Sequence, residues 1–243
     1  MCTVIIRVPE EPREATRIIA VRDEDPARPW DELGQWWPDT DPGVLGVRDI
    51  RAGGAWLATQ PAAGRLVVLL NVGPPTAPRP GLTSRGQVVL DAASNRTPPT
   101  SRQTAPYALL VADGNNASLE ISDGESVRHE GLPPGVHMLV NSPVVNDFSV
   151  ARVERWLPRF RQEVPAPDAE NWFGPWLGIM QDSGELPATN DAAIIRDNTP
   201  HGIGTFSLLM VTATITRDHV EADYVEFDKP GDWDSRISHL PGQ

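Results

Sequence analysis

The sequence predicts an α+β protein of layered sheets with helices set apart from them. Three observations carry this. Short β-branched and apolar runs bounded by Gly, Pro, Asn and Asp recur along the chain. The helical stripes fall between blocks of such runs, giving the order strands, helix, strands, helices, strands. No internal repeat and no linker divides the 243 residues, so one domain spanning 1–243 is expected.

Taken in order, Thr3 to Val8 and Arg17 to Val21 read as an antiparallel pair across the proline- and charge-rich Pro9 to Glu14. Asp23 to Pro29 carries turn residues, and Trp30, Trp36 and Trp37 fall in a Pro/Asp/Gly-rich stretch that reads as loop. Ala55 to Thr59 and Arg65 to Leu70 form the next pair, with Gln60 to Gly64 as the turn. Val72 to Thr83 reads as a long irregular loop. Ser84 is expected to cap a helix from Arg85 to about Ala93, with Val88, Val89 and Ala92 on one face. After a polar stretch from Asn95 to Pro106, strands are expected at Tyr107 to Ala112, Ser118 to Ser122 and Val136 to Val140. Ser149 opens a second helix with Val150, Val153, Trp156, Leu157 and Phe160 on one stripe, and Pro158 should end or kink it near Leu157. Asp168 to Met180 and Thr189 to Ile195 are further helical segments; Thr205 to Ile215 and Val220 to Phe227 close the chain as a hairpin.

Composition narrows the function classes. The net charge of −12 argues against nucleic acid and against docking on anionic membranes. No apolar stretch approaches the roughly 18 residues that a spanning helix needs. The first apolar run, Cys2 to Val8, is short for a signal peptide and lacks a basic lead-in. One cysteine excludes an internal disulfide and a thiolate cluster, which points to the cytoplasm.

That cysteine is Cys2, directly behind the initiator Met1. Removal of Met1 leaves Cys2 with both a thiol and a free α-amine. A thiol is a strong nucleophile, and an α-amine with a pKa near ~8 is a usable local base. The bland alternative is a small buried residue at the start of a strand.

Further motifs stand in order along the chain: Arg22-Asp23-Glu24 with Arg28-Pro29, Gly53-Gly54-Ala55-Trp56-Leu57, Gly64-Arg65 leading to Leu70-Asn71, Ser84-Arg85-Gly86, Leu139-Val140-Asn141-Ser142-Pro143, and Gly202-Ile203-Gly204-Thr205. With the opening Met1-Cys2-Thr3, this set resembles the NRDE family, the transport and Golgi organisation protein 2-like proteins, over residues 1 to about 228. The resemblance implies an N-terminal-nucleophile hydrolase-like fold, a four-layer αββα sandwich of two stacked antiparallel sheets. It is similar also to the choloylglycine and penicillin V acylases, in which an N-terminal Cys attacks an amide carbonyl.

Carried onto this sequence, the resemblance makes Cys2 the nucleophile, Arg22 the charge that favours its thiolate, Asp23 the partner of the α-amine, and Asn71 and Asn141 donors to an oxyanion. On the residues alone, Arg22-Asp23 also reads as a solvated turn, and both asparagines as turn residues. Trp36, Trp56 and Arg65 are the candidates for substrate binding, with a packed loop the simpler reading of Trp36-Trp37. The chain departs from the family at Val21, where an Asn is usual, and at Phe206, where an Arg is usual. Asp23 is adjacent to Arg22, whereas the acylases space the two by three, the position of Asp25 here.

Two functions follow. One is a cytosolic amidohydrolase acting on a small linear or cyclic non-peptide amide through Cys2, with no cofactor. The other is a non-catalytic carrier of haem or an acyl-CoA or lipid ligand, as the resemblance implies for a trafficking role. No haem-attachment motif is present, and the histidines (His129, His137, His201, His219, His239) show no metal-binding spacing, so a metallohydrolase is disfavoured.

Overall fold

The first run of β-branched residues does form a strand, and the rest of one sheet assembles around it. In the computed structural model, which describes residues 2–73, 81–96 and 103–233, β1 (Thr3–Val8) pairs antiparallel with β2 (Thr16–Glu24). Seven further strands follow in the chain: β3 (Trp30–Gly34), β4 (Leu45–Asp49), β5 (Ala55–Gln60), β6 (Arg65–Asn71), β7 (Tyr107–Asp113), β8 (Asn116–Ser122) and β9 (Val127–Leu132). They form an antiparallel sheet in sequence order. The first sheet is completed by β10 (Gly135–Leu139), β11 (Phe206–Ile215) and β12 (Val220–Glu226), in the order β10-β1-β2-β11-β12.

Alternation along the strands builds the layers. Val4, Ile6, Ile18, Ala20, Leu209 and Val211 belong to the core between the sheets, while Ile5, Ile19, Val21, Met138 and Met210 belong to a second core with the helices. That helical layer is α2 (Ala151–Gln162) and α3 (Gly174–Gly184), packed around Trp156, Phe160, Trp172 and Trp176. On the seven-stranded sheet, Leu66, Val68 and Leu70 are fully buried. The opposite face is covered over β5 and β6 by α1 (Gly86–Ala93), whose Gly86 meets the backbone of Gly54 so closely that a side chain on either would clash. The result is two stacked antiparallel sheets between helices, as the resemblance implied. No described helix is long and apolar enough to cross a membrane.

Several sequence expectations need correction. Trp30 lies in β3 rather than a loop, and β3, β4 and β9 are additional strands. Helix α2 runs through Pro158 to Gln162: the proline is on the solvent face, where the carbonyl it leaves unpaired can be hydrated, and the buried stripe holds both halves of the helix. The Thr189 to Ile195 stretch is not helical; Ile194 and Ile195 are buried, and the Ile194 amide donates to Ser183 Oγ (2.8 Å). The helix expected over Asp168 to Met180 begins at Gly174, as α3, and in α1 Arg85 takes the cap position while Ser84 Oγ accepts from the Gly86 amide (3.3 Å). The expectations for Met1, His239 and the centres of the 72–83 and 95–106 stretches lie outside the described residues.

Candidate active site at Cys2

Cys2 precedes β1 by one residue and faces the inter-sheet core with Val4 and Ile6, its side chain 5% exposed. Thr3 pairs with Val21 and Val4 with Leu139. Continued to Cys2, these registers set Arg22 on one side of it and Asn141, past the end of β10, on the other.

Burial pushes the Cys2 thiol above its ordinary pKa, and the charge of Asp23 adds to this; the Asp23 backbone N–H on the sulfur and the positive charge of Arg22 oppose it. Arg22 is itself buried, lies over the Trp30 ring (5.9 Å), and donates from Nη2 to Glu24 Oε2 at 3.3 Å. Trp30 in turn donates to the Tyr224 hydroxyl (2.9 Å), tying β3 of one sheet to β12 of the other.

The Asp23 side chain points to the opposite face of β2 from Arg22. Ser207 Oγ donates to its Oδ1 (2.6 Å) and Asn198 Nδ2 to its Oδ2 (3.2 Å). A β-bulge makes this possible. Ser207 pairs with Asp23 but Leu209 pairs with Arg22, so Leu208 is the extra residue. Without it, the parity that aims Ser207 at Asp23 would turn Leu209, Val211 and Ala213 out of the inter-sheet core. Ser207 Oγ also accepts from the Arg196 amide (2.8 Å), and Arg196 Nε donates to Asn198 Oδ1 (3.0 Å). Arg196 continues to the Asp191 carbonyl (3.0 Å) and to His201, which pairs with Asp191 (2.9 Å).

On the other side, Arg152 in the first turn of α2 donates from Nη2 to Asn141 Oδ1 (3.0 Å). Burial pushes Arg152 down to about 10, the like charge of Arg196 adds to this, and Asp23 and Cys2 pull the other way. Arg85, at the cap of α1, is likewise lowered by burial and countered by Glu24 and Cys2. The structure thus brings together Cys2, Arg22, Asp23 and Asn141 of the sequence candidates, and adds Arg85, Arg152, Arg196, Asn198 and Ser207.

The model of a family described as Transport and Golgi organisation 2 matches residues 1–201. The chain belongs to that family. No curated protein matches it in sequence. The family signature at Arg22-Asp23 therefore falls inside β2, not in a solvated turn, with its two side chains on opposite faces and Cys2 against one of them.

The remaining candidates lie elsewhere. Asn71 ends β6 at the same end of the molecule, where the Gly73 amide donates to the Asn141 carbonyl (3.3 Å), but its side chain is exposed on the face opposite Leu70. Arg65 is at the far end of β6, roughly 20 Å away by strand rise, and is paired with Asp113. Trp36 stacks on Arg48 (5.1 Å) beside β3, and Trp56 is buried on β5 with the α1 side of the sheet. Among the described residues, no group of three or more His, Cys, Asp or Glu is placed to hold a metal ion.

A cleft of ≈310 Å³ opens beyond Asn141, between the ends of β6 and β8, the start of β9 and Pro143. Its walls are Val72, Pro106, Ile121 and Pro143, with Ser122, Ser126, Asp123 and Arg128 at the polar side.

Proposed function

We propose that this protein is an amidohydrolase that cleaves a small non-peptide amide with Cys2 as nucleophile. The observation that supports it most is the setting of the thiol: a buried sulfur at the chain start, flanked by Arg22 and Asn141, with the Asp23 N–H directed at it. Because burial holds the sulfur as a neutral thiol, attack requires a base. The α-amine exposed by removal of Met1 is that base. Sγ bonds to the carbonyl carbon while its proton passes to the amine; the tetrahedral oxyanion accepts from the Asn141 amide; the C–N bond breaks and the amine returns the proton to the leaving nitrogen. Water then hydrolyses the thioester and restores the thiol. The Ser207 and Asn198 bonds to Asp23 hold the β2 backbone at Cys2.

The test is an intact-mass measurement followed by a screen of linear and cyclic amides. A mass lacking Met1, with turnover that disappears in Cys2→Ala, is expected. Turnover unchanged in Cys2→Ala overturns the reading. A second reading, a carrier of an apolar ligand such as haem or an acyl-CoA, is favoured by the apolar cleft beside Asn141, whose volume falls at the low end of the roughly 300–1,000 Å³ of ligand pockets. It predicts a Soret band with micromolar haem, or acyl-CoA binding, that survives Cys2→Ala.

A further inference from the structure

The polar atoms around Cys2 are not all satisfied. Arg22 is 3% exposed and Arg152 is 2% exposed, yet Arg22 Nη1 and Arg152 Nε have no hydrogen-bond partner among the described residues. Buried guanidinium N–H groups are costly to leave unpaired, and two at one site call for an acceptor. The local carboxylates do not supply it. Both Asp23 oxygens already accept from Ser207 and Asn198, and Glu24 is shared between Arg22 and Arg28. With Arg85 also within electrostatic reach of the sulfur, a chain of net charge −12 gathers three arginines around its one thiol.

The two unpaired guanidinium groups approach Cys2 from different directions. Arg22 comes from the β2 side, and Arg152 from the β10 side through its bond to Asn141 Oδ1. That bond also leaves Asn141 Nδ2, rather than Oδ1, to face a ligand. A planar oxyanion reaching both would take one N–H from each, Arg22 Nη1 and Arg152 Nε.

We propose that Arg22 and Arg152 form a subsite for a compact oxyanion, a carboxylate or phosphate carried by the substrate close to the bond that Cys2 attacks. This rests on the reading of Cys2 as nucleophile and narrows its substrates to anionic amides.

Because Cys2 is the only cysteine, alkylation reports on this point alone. The purified protein is treated with iodoacetate and with neutral iodoacetamide, and the modified fraction is followed by mass. The neutral reagent is ordinarily the faster. The subsite predicts the reverse order, by roughly tenfold or more at low salt, declining as ionic strength rises. Inorganic phosphate or acetate should slow iodoacetate at equal ionic strength; the stronger competitor identifies which oxyanion the site prefers. Arg152→Gln should restore the ordinary order.

Iodoacetamide remaining faster, with no protection by either anion, overturns the subsite while leaving Cys2 a reactive nucleophile. No modification by either reagent, with full modification in urea, counts against the nucleophile reading instead. The subsite is then judged by melting temperature: phosphate should raise it above equal-strength chloride in the wild-type and not in Arg152→Gln, and equal melting in the two salts overturns it.

Discussion

The two ends of β1 differ in kind. At its start, Cys2 is enclosed by buried Arg22, Asp23 and Arg152, with Asp23 hydrogen-bonded to Ser207 of β11 and Arg152 to Asn141 after β10. At its finish, Val8 pairs with Gly135 beside an open hollow of ≈560 Å³ whose walls include Arg7, Glu10, Glu11, Glu14, His137 and Arg161. The larger cavity is therefore at the end with the ordinary solvated charges. The Cys2 end holds the charges that cost most to bury. Buried, mutually oriented polar groups mark chemistry more strictly than volume does, and the contrast can be attacked from either end.

The largest effect is expected from the sulfur itself. Cys2→Ala should lower turnover of any amide found in the screen by at least about 1,000-fold, as removal of a nucleophile does, while the melting temperature changes little. Turnover within tenfold of wild-type would place the chemistry elsewhere. Next comes the support. Ser207→Ala removes the 2.6 Å bond to the buried Asp23 carboxylate and the Oγ that accepts from the Arg196 amide. It should cost about 1–3 kcal/mol in urea denaturation. A cost near zero would show that the β11 bulge is not held by this serine.

The sequence told more about the strands than about the site. β1, β2, β5, β6, β7, β8, β10 and the β11–β12 hairpin were legible because their β-branched or apolar runs are wholly or alternately buried. β3, β4 and β9 were not; β3 and β9 are the two edges of the seven-stranded sheet, and β4 is a short strand between β3 and β5. Edge strands such as Val127–Leu132, exposed at five of six positions, carry no hydrophobic period to read. At the site, the residues contiguous with the strands (Cys2, Arg22, Asp23, Asn141) were accessible through family motifs. Arg152 and Arg196 come from a helix and an irregular segment, and only the fold brings them there. One signal for Arg152 was available: it lies four residues before Trp156, on the buried stripe of α2, where an arginine needs a partner.

A subtler comparison separates the two charges of the signature. Asp23 raises the Cys2 thiol and Arg22 lowers it. Measured as the pH dependence of iodoacetamide alkylation, Arg22→Gln should move the thiol further up, and Asp23→Asn should move it down. Both substitutions leave the Asp23-position N–H on the sulfur. Shifts of the same sign would mean that burial changes, not charge, dominate the site.

The smallest predicted effects are at the other end. Buried His137 donates from Nε2 to the Pro133 carbonyl (2.8 Å), so Nδ1 must accept from Asn146 Nδ2 (3.1 Å). Asn146, held at φ +56°, returns its Oδ1 to the Met138 amide (2.8 Å) and so pins the loop after Asn141 to β10. Burial lowers the His137 pKa, and nearby Arg161 adds to this, against the Pro133 bond and Glu130. A lowered histidine favours the neutral form on folding, so its contribution is complete above the ordinary value of about 6.5 and is lost as pH falls below it. His137→Gln should cost about 1 kcal/mol at pH 7.5, and the gap to wild-type should close toward pH 5. In Glu14→Gln, which breaks the half-buried pair with Arg7, the cost should stay at or below about 1 kcal/mol. A greater loss from Glu14→Gln than from Ser207→Ala would reverse the contrast between the two ends, since an open-cleft ion pair would then outweigh a buried, oriented carboxylate.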